Sequence, residues 1–200
     1  MASQYYAIYK PFGMLSQFSR EHPEHITLAD LDFTFAKDVY PIGRLDKDSE
    51  GLLLLSNNRS INHTLLHPTN AHERSYWVQV DGQITLAALE QLRQGVSIKI
   101  NKKSYPTRPA KAQLLATAPP VPDRQPPIRY RKNQPTSWIE LTLIEGKNRQ
   151  VRRMTAAVGF PTLRLVRHQI VQLAIDKWEA GAVHAIAPND FQQLLELDKI

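Results

Sequence analysis

Three carboxylates stand at alternate positions in the run Gly43-Arg44-Leu45-Asp46-Lys47-Asp48-Ser49-Glu50-Gly51, and four leucines, Leu52 to Leu55, follow at once. Consecutive leucines after a glycine read as a buried strand or as the start of a buried helix. The acidic turn is therefore tied to the core. An ionised side chain there is held in place, and its reactivity can be tuned by its surroundings. The plain alternative is a turn whose acids only cap and solubilise.

Several chemistries can be tested on the residue types. Asp46, Asp48, Glu50 and Gly51 match the first half of a calcium loop. The twelfth loop position is Asn57, where a bidentate Glu is needed, and Pro41 stands where the preceding helix should run. Calcium is rejected on that ground, whereas alternating acids that hold magnesium for a nuclease stay open as a rival. His63 and His67 are four apart, but Pro68 ends that helix and no Glu stands between them, as a zinc protease helix would require. There is no glycine-rich phosphate loop or dinucleotide fingerprint. Cysteine is absent, which removes disulfide and thiolate chemistry and fits a reducing compartment. What remains is one Asp acting directly.

The charge distribution points to its partner. The chain carries a net +6, and residues 124 to 167 hold ten Lys or Arg against Glu140 and Glu145, a local +8 that leaves −2 for the rest. A basic block in an otherwise near-neutral chain is the footprint of a polyanion. Arg outnumbers Lys there, and Arg is the better phosphate fork. A solvated basic face is the bland alternative. The 200 residues suggest one large domain or two small lobes. No apolar run is long enough to span a membrane, and the first residues lack a secretory pattern.

The elements that must position these groups are only partly periodic. Tyr6 to Tyr9 reads as an edge strand stopped by Lys10-Pro11-Phe12-Gly13. Ser60 to Leu66 reads as a short helix. Tyr76 to Val80 alternates, with Tyr76, Val78 and Val80 on one face. Thr85 is expected to cap a helix with a Leu86, Leu89, Leu92 stripe, stopped by Gly95. Short strands follow near Val96 to Ile100 and Ala112 to Leu115. Thr117 to Thr136 contains six prolines and reads as an extended surface loop. Ser137 to Ile144 alternates as a strand. Asn148 is expected to cap a helix from Arg149 to Val158 with Val151, Met154 and Val158 inward. That helix carries Arg149, Arg152 and Arg153 at a spacing that destabilises it unless anions answer the charges. Thr162 to Val166 and His168 to Leu173 read as two strands, and Asn189 or Asp190 as the cap of a last helix through Leu197. The irregular alternation of strands and helices favours α+β.

These residues carry a resemblance. Gly43-Arg44-Leu45-Asp46 with Ser49-Glu50-Gly51-Leu52-Leu53 resembles the catalytic motif of the RNA pseudouridine synthases, in the branch that modifies single ribosomal uridines. Lys10-Pro11-Phe12-Gly13 resembles that family's first motif, and Ser75-Tyr76-Trp77-Val78 its tyrosine-bearing strand. Glu145-Gly146-Lys147-Asn148-Arg149-Gln150-Val151-Arg152-Arg153-Met154 resembles its third motif. The four blocks stand in the family's order and span most of the chain. Pro126-Pro127-Ile128-Arg129, Pro135-Thr136-Ser137-Trp138 and Val158 to Leu165 resemble members that act on the large ribosomal subunit.

The resemblance implies a pseudouridine synthase fold: a mixed, mostly antiparallel sheet with flanking helices and a central catalytic cleft. It implies one catalytic domain over residues 1 to 200, without the accessory RNA-binding domain that many members carry ahead of the first motif. The implied activity is isomerisation of a specific uridine in large-subunit (23S) ribosomal RNA, needing no cofactor and no metal. The bond between uracil and ribose breaks, the base turns, and carbon rejoins the sugar. Asp46 is expected as nucleophile or base, Tyr76 as the ring that stacks on the target base, and Arg152 as the partner of Asp46, since a cation in contact favours a charged carboxylate. Arg44 is expected to fill the space left by the flipped uridine, and Lys147, Arg149 and Arg153 to bind phosphates. Asp48 and Glu50 are expected to be turn and cap acids. Without the resemblance, Tyr76 reads as a core aromatic and Arg152 as a surface helix charge. The expected setting is a cytoplasmic monomer acting on ribosomal RNA or an assembly intermediate, with no membrane partner. The rival from another class is a catalytically silent RNA-binding ribosome assembly factor with this fold.

Overall fold

The structure, a computed structural model, describes residues 3–128 and 134–197. Its frame is a mixed sheet built around the four leucines. Strand β1 (Tyr5–Lys10) lies antiparallel to β3 (Glu50–Ser56), and the short β2 (Tyr40–Ile42) also pairs with β3. Two long strands, β4 (Arg74–Asp81) and β8 (Thr136–Leu143), pair antiparallel. The long β9 (Thr162–Ile170) joins the two halves, parallel to β3 and antiparallel to β4. On the outside, β7 (Lys111–Leu115) adds to β8, β11 (Val183–Ile186) adds to β1, and β10 (Leu173–Ala174) turns back on β9. The order is β11-β1-β3-β9-β4-β8-β7. A separate hairpin is formed by β5 (Ser97–Ile100) and β6 (Lys103–Pro106). The architecture is α+β, with β3–β9 as the parallel pair among the described strands.

The leucine run resolves as a strand because both faces of β3 are covered. A strand buried on both faces reads as continuous hydrophobicity, not alternation. Leu52 and Leu54 pack with Ile61 and Leu65 of α1 (Ser60–Leu66) and with Phe191 of α4 (Pro188–Leu194). Leu53 and Leu55 pack on the other side with Met14, Leu28 and Leu45. A third core gathers Val78, Val80, Ile139, Leu141 and Leu143 under α2 (Leu86–Gln94) and α3 (Gln150–Ala157). The alternation expected for β4 and β8 places these residues on one face.

Several expectations are corrected. The first strand is not an edge, because the short β11 covers its outer side. Leu86 is 76% exposed; Ala88, Leu89 and Leu92 form the buried stripe of α2, whose cap is Thr85 as expected. The two strands expected after residue 161 are one, since Arg167 passes through without a break. Asn148 does not cap α3. Arg149 occupies the cap in left-handed conformation, with φ of 51°. Ala187 precedes α4, and neither Asn189 nor Asp190 caps it. The part of the proline-rich loop from 129 to 133 lies outside the described residues. No helix among the described residues is long and apolar enough to cross a membrane.

Candidate active site

The start of β3 is forced into place by a glycine. Gly51 has φ of +98°, and a Cβ there would lie 2.3 Å from the Arg167 carbonyl oxygen. Backbone meets backbone, so no side chain can be accommodated. This close approach sets the parallel pairing of Glu50 and Gly51 with Val166 and Arg167. It also presents the turn 46–49 at the end of the sheet. The Ser49 amide closes that turn by donating to the Asp46 carbonyl at 3.0 Å. Lys47 bonds the first motif, its carbonyl accepting from the Gly13 amide at 2.8 Å.

Under the turn lies a buried polar layer. Glu50 accepts from Arg164 Nε at 2.9 Å and Nη2 at 2.7 Å, with both side chains almost wholly buried. Burial pulls the Arg164 guanidinium down, but the two hydrogen bonds and the charge of Glu50 outweigh it and raise it above its ordinary value. Lys10 is fully buried and donates to the carbonyls of Pro11 and Met14. Its ammonium is pushed down to about 8 by burial, against the pull of Glu50, Asp48 and Asp46. The first motif is thus pinned from beneath by a cation, and the second by a buried ion pair.

Above the turn opens a cleft of about 610 Å³. Its walls include Arg44, Asp46, Tyr76, Lys147 and Arg149, five of the seven residues expected at the site. Asp46 is part-buried, its side chain 33% exposed. Tyr76 reaches the same cleft from β4. It is paired across the ladder with Arg167, which also lines the wall. Arg152 and Arg153 are not among the lining residues. Arg153 instead donates to the Lys99 carbonyl and to Asn148 Oδ1, tying α3 to the β5–β6 hairpin.

The ion pairs differ from expectation. Arg152 pairs with Asp48, not Asp46: its Nε lies 3.3 Å from Asp48 Oδ2 and its Nη2 donates to the Asp48 carbonyl at 2.5 Å. Asp46 has Arg149 nearby instead, at 3.6 Å. Asp48, expected to be an ordinary turn acid, is the hub. It accepts two hydrogen bonds from Arg149, at 2.9 and 2.7 Å. Burial would push the Asp48 carboxyl up, but the Arg149 hydrogen bonds and the two guanidinium charges hold it below the usual carboxylate range. Burial lowers Arg152 against the pull of Asp48, and an arginine stays charged there.

The far wall holds residues that sequence reasoning missed. Glu145 is buried and accepts from Tyr105 Oη at 2.7 Å, the Arg108 amide at 2.8 Å and Gln150 Nε2 at 2.6 Å. Gln150 in turn accepts from the Lys147 amide at 2.9 Å. The Lys147 ammonium sits 5.0 Å from the centre of the Tyr105 ring, within cation–π range. The third-motif turn is therefore braced by the β5–β6 hairpin. The only sequence signal for this brace was an acid and an amide five residues apart on either side of a basic turn.

Of the two carboxylates and two phenols on its walls, Glu145 and Tyr105 are bonded to each other, so the arrangement offers Asp46 and Tyr76 in a cleft ringed by cations, which suits a nucleophile or base beside a stacked, phosphate-bound nucleotide. Comparison with known proteins identifies the family. Residues 4–157 match the model of the RNA pseudouridylate synthase family. The ribosomal large subunit pseudouridine synthase E of Xanthomonas axonopodis pv. citri (strain 306) is 49% identical over 175 residues, covering 87% of this chain and 86% of that protein. The protein of the same name from Vibrio parahaemolyticus serotype O3:K6 (strain RIMD 2210633) is 46% identical over 172 residues, covering 86% and 69%. A crystal structure of a pseudouridylate synthase superposes with a TM-score of 0.77 at 24% identity, covering 96% of this chain and 74% of that one, so the fold is shared. With that match spanning the acidic turn, the tyrosine strand and the third motif alike, the chain belongs to the RNA pseudouridylate synthase family.

Proposed function

We propose that this chain converts a specific uridine of large-subunit ribosomal RNA to pseudouridine, with Asp46 starting the reaction. The observation that carries the reading is the meeting of Asp46 and Tyr76 in one cleft, under the motif blocks the family match covers. The reaction is an isomerisation. The bond from uracil N1 to ribose C1′ breaks, a bond from C5 to C1′ forms, C5 gives up its proton and N1 takes one. Asp46 acts at the sugar as nucleophile or base, and Tyr76 stacks on the base and assists removal of the C5 proton.

The cations divide the rest of the work. Arg44, exposed at the cleft, takes the place of the flipped uridine and recovers part of the few kcal/mol that unstacking costs. Lys147 and Arg149 meet phosphates from the turn that leads into α3. Arg152 holds the turn through Asp48, and Arg153, already engaged by Lys99 and Asn148, adds to the field. The local +8 supports an RNA partner, and the proposed setting is a cytoplasmic monomer acting on large-subunit ribosomal RNA or its assembly intermediate.

The test is tritium release from C5-labelled uridine in large-subunit ribosomal RNA, together with pseudouridine mapping in cells with and without the chain. Release at one position, lost in cells lacking the chain, is expected. RNA binding without release would favour the silent assembly factor. Strand cleavage that EDTA stops and magnesium restores would favour a nuclease.

A further inference from the structure

We propose that Asp48 is a positioning residue that keeps Arg149 in reserve and hands it to an RNA phosphate when substrate binds. This rests on the reading that Arg149 contacts RNA. The geometry is that of an anion already bound. Arg149 donates both of its terminal nitrogens to the two Asp48 oxygens, at 2.9 and 2.7 Å, the fork by which a guanidinium would hold a phosphate.

The pair is built to be exchanged. Its partners are 40% and 36% exposed, so water and incoming anions reach both. Exposed pairs are weak enough for a phosphate to displace one. Asp48 would not be left alone when Arg149 departs. Arg152 stays on it through the 3.3 Å contact and through the bond to its carbonyl, with a side chain only 13% exposed. The turn therefore keeps one arginine and releases the other. Arg149 stands at the start of α3 in left-handed conformation, with φ of 51°, which a non-glycine residue rarely adopts. That backbone holds it at the cleft rim, off the helix surface.

The exchange reaches the reacting carboxylate. Arg149 is also the cation 3.6 Å from Asp46. Moving it to a phosphate removes that neighbour as the target nucleotide arrives, so Asp46 is relieved of a competing partner only with RNA in place.

The test is a double-mutant cycle on RNA affinity, using wild type, Asp48→Asn, Arg149→Ala and the double variant on one ribosomal RNA fragment. If Asp48 holds Arg149 back, Asp48→Asn should tighten binding about two- to fivefold when Arg149 is present and leave it unchanged in the Arg149→Ala background. Asp48→Glu should bind as wild type does. An equal gain in both backgrounds would show that Asp48 merely repels phosphates, and no gain in either would show a purely structural turn acid; both overturn the proposal. If Arg149→Ala alone binds as well as wild type, the phosphate contact itself is wrong. Thermal unfolding of each variant separates these outcomes from loss of fold.

Discussion

Two ion pairs spring from neighbouring positions of one short segment, and their hydrogen bonds have the same lengths. Asp48 takes 2.9 and 2.7 Å bonds from Arg149, and Glu50 takes 2.9 and 2.7 Å bonds from Arg164. Their surroundings are opposite. The first pair is 36% and 40% exposed, the second 3% and 8%. Bond geometry alone would rank them equal. Desolvation separates them: water can replace either half of the outer pair, and nothing can replace a half of the inner one. The inner pair is scaffold, and the outer pair is a contact that a ligand can take over. The third carboxylate, Asp46, has an arginine only at 3.6 Å and faces the cleft. Among the described residues its nearest cation sits beyond hydrogen-bond distance, and the departure of Arg149 to a phosphate would leave it available for chemistry.

The sharpest break in this comparison comes from Asp46. Asp46→Asn is nearly isosteric and should leave folding and RNA binding intact while lowering turnover by at least about a thousandfold. Tritium release within tenfold of wild type would remove Asp46 from the reaction. The scaffold comes next. Glu50→Gln strands the buried Arg164 charge and should cost about 3–5 kcal/mol of stability in urea unfolding. Asp48→Asn should cost less than about 1 kcal/mol. If the two losses are equal, burial does not distinguish the pairs.

How much of this could be read from the sequence depends on how far each interaction reaches along the chain. β4 and β8 are legible because alternation is local. The leucine run left strand and helix open, since the covering of both faces by distant α1, α4 and the 14–45 region decided it. Arg167 looked like a break between two strands. Its Nε donates to the Leu52 carbonyl, 115 residues away, which lets a charged side chain sit inside a continuous β9. Asp46 and Tyr76 are singled out as candidates by their motifs, and the structure brings both to one cleft. Asp48 was passed over because its partners stand 101 and 104 residues away, with no nearby pattern to mark them. The Glu145 brace was missed for the same reason, as Tyr105 is 40 residues from it.

The smallest effect sharpens the outer half of the comparison. In the folded protein the Asp48 carboxyl lies below its ordinary range, since its bonds from Arg149 and the two guanidinium charges outweigh burial. A carboxyl with a lowered folded value binds fewer protons folded than unfolded, so stability rises with pH across that interval. Its contribution is therefore complete above the unfolded value of about 3.9 and is lost as pH falls through the lowered folded one. The stability difference between wild type and Asp48→Asn, under about 1 kcal/mol near neutrality, should hold constant from neutral pH to about 5 and close as pH falls below the ordinary aspartate range. Other acids titrate in the same window, but they do so in both proteins and cancel in the difference. Urea unfolding of the pair at a series of pH values measures it. A difference that closes well above the ordinary aspartate range would show that Arg149 does not hold the Asp48 carboxylate in solution, and the outer pair would lose its standing as a preformed contact.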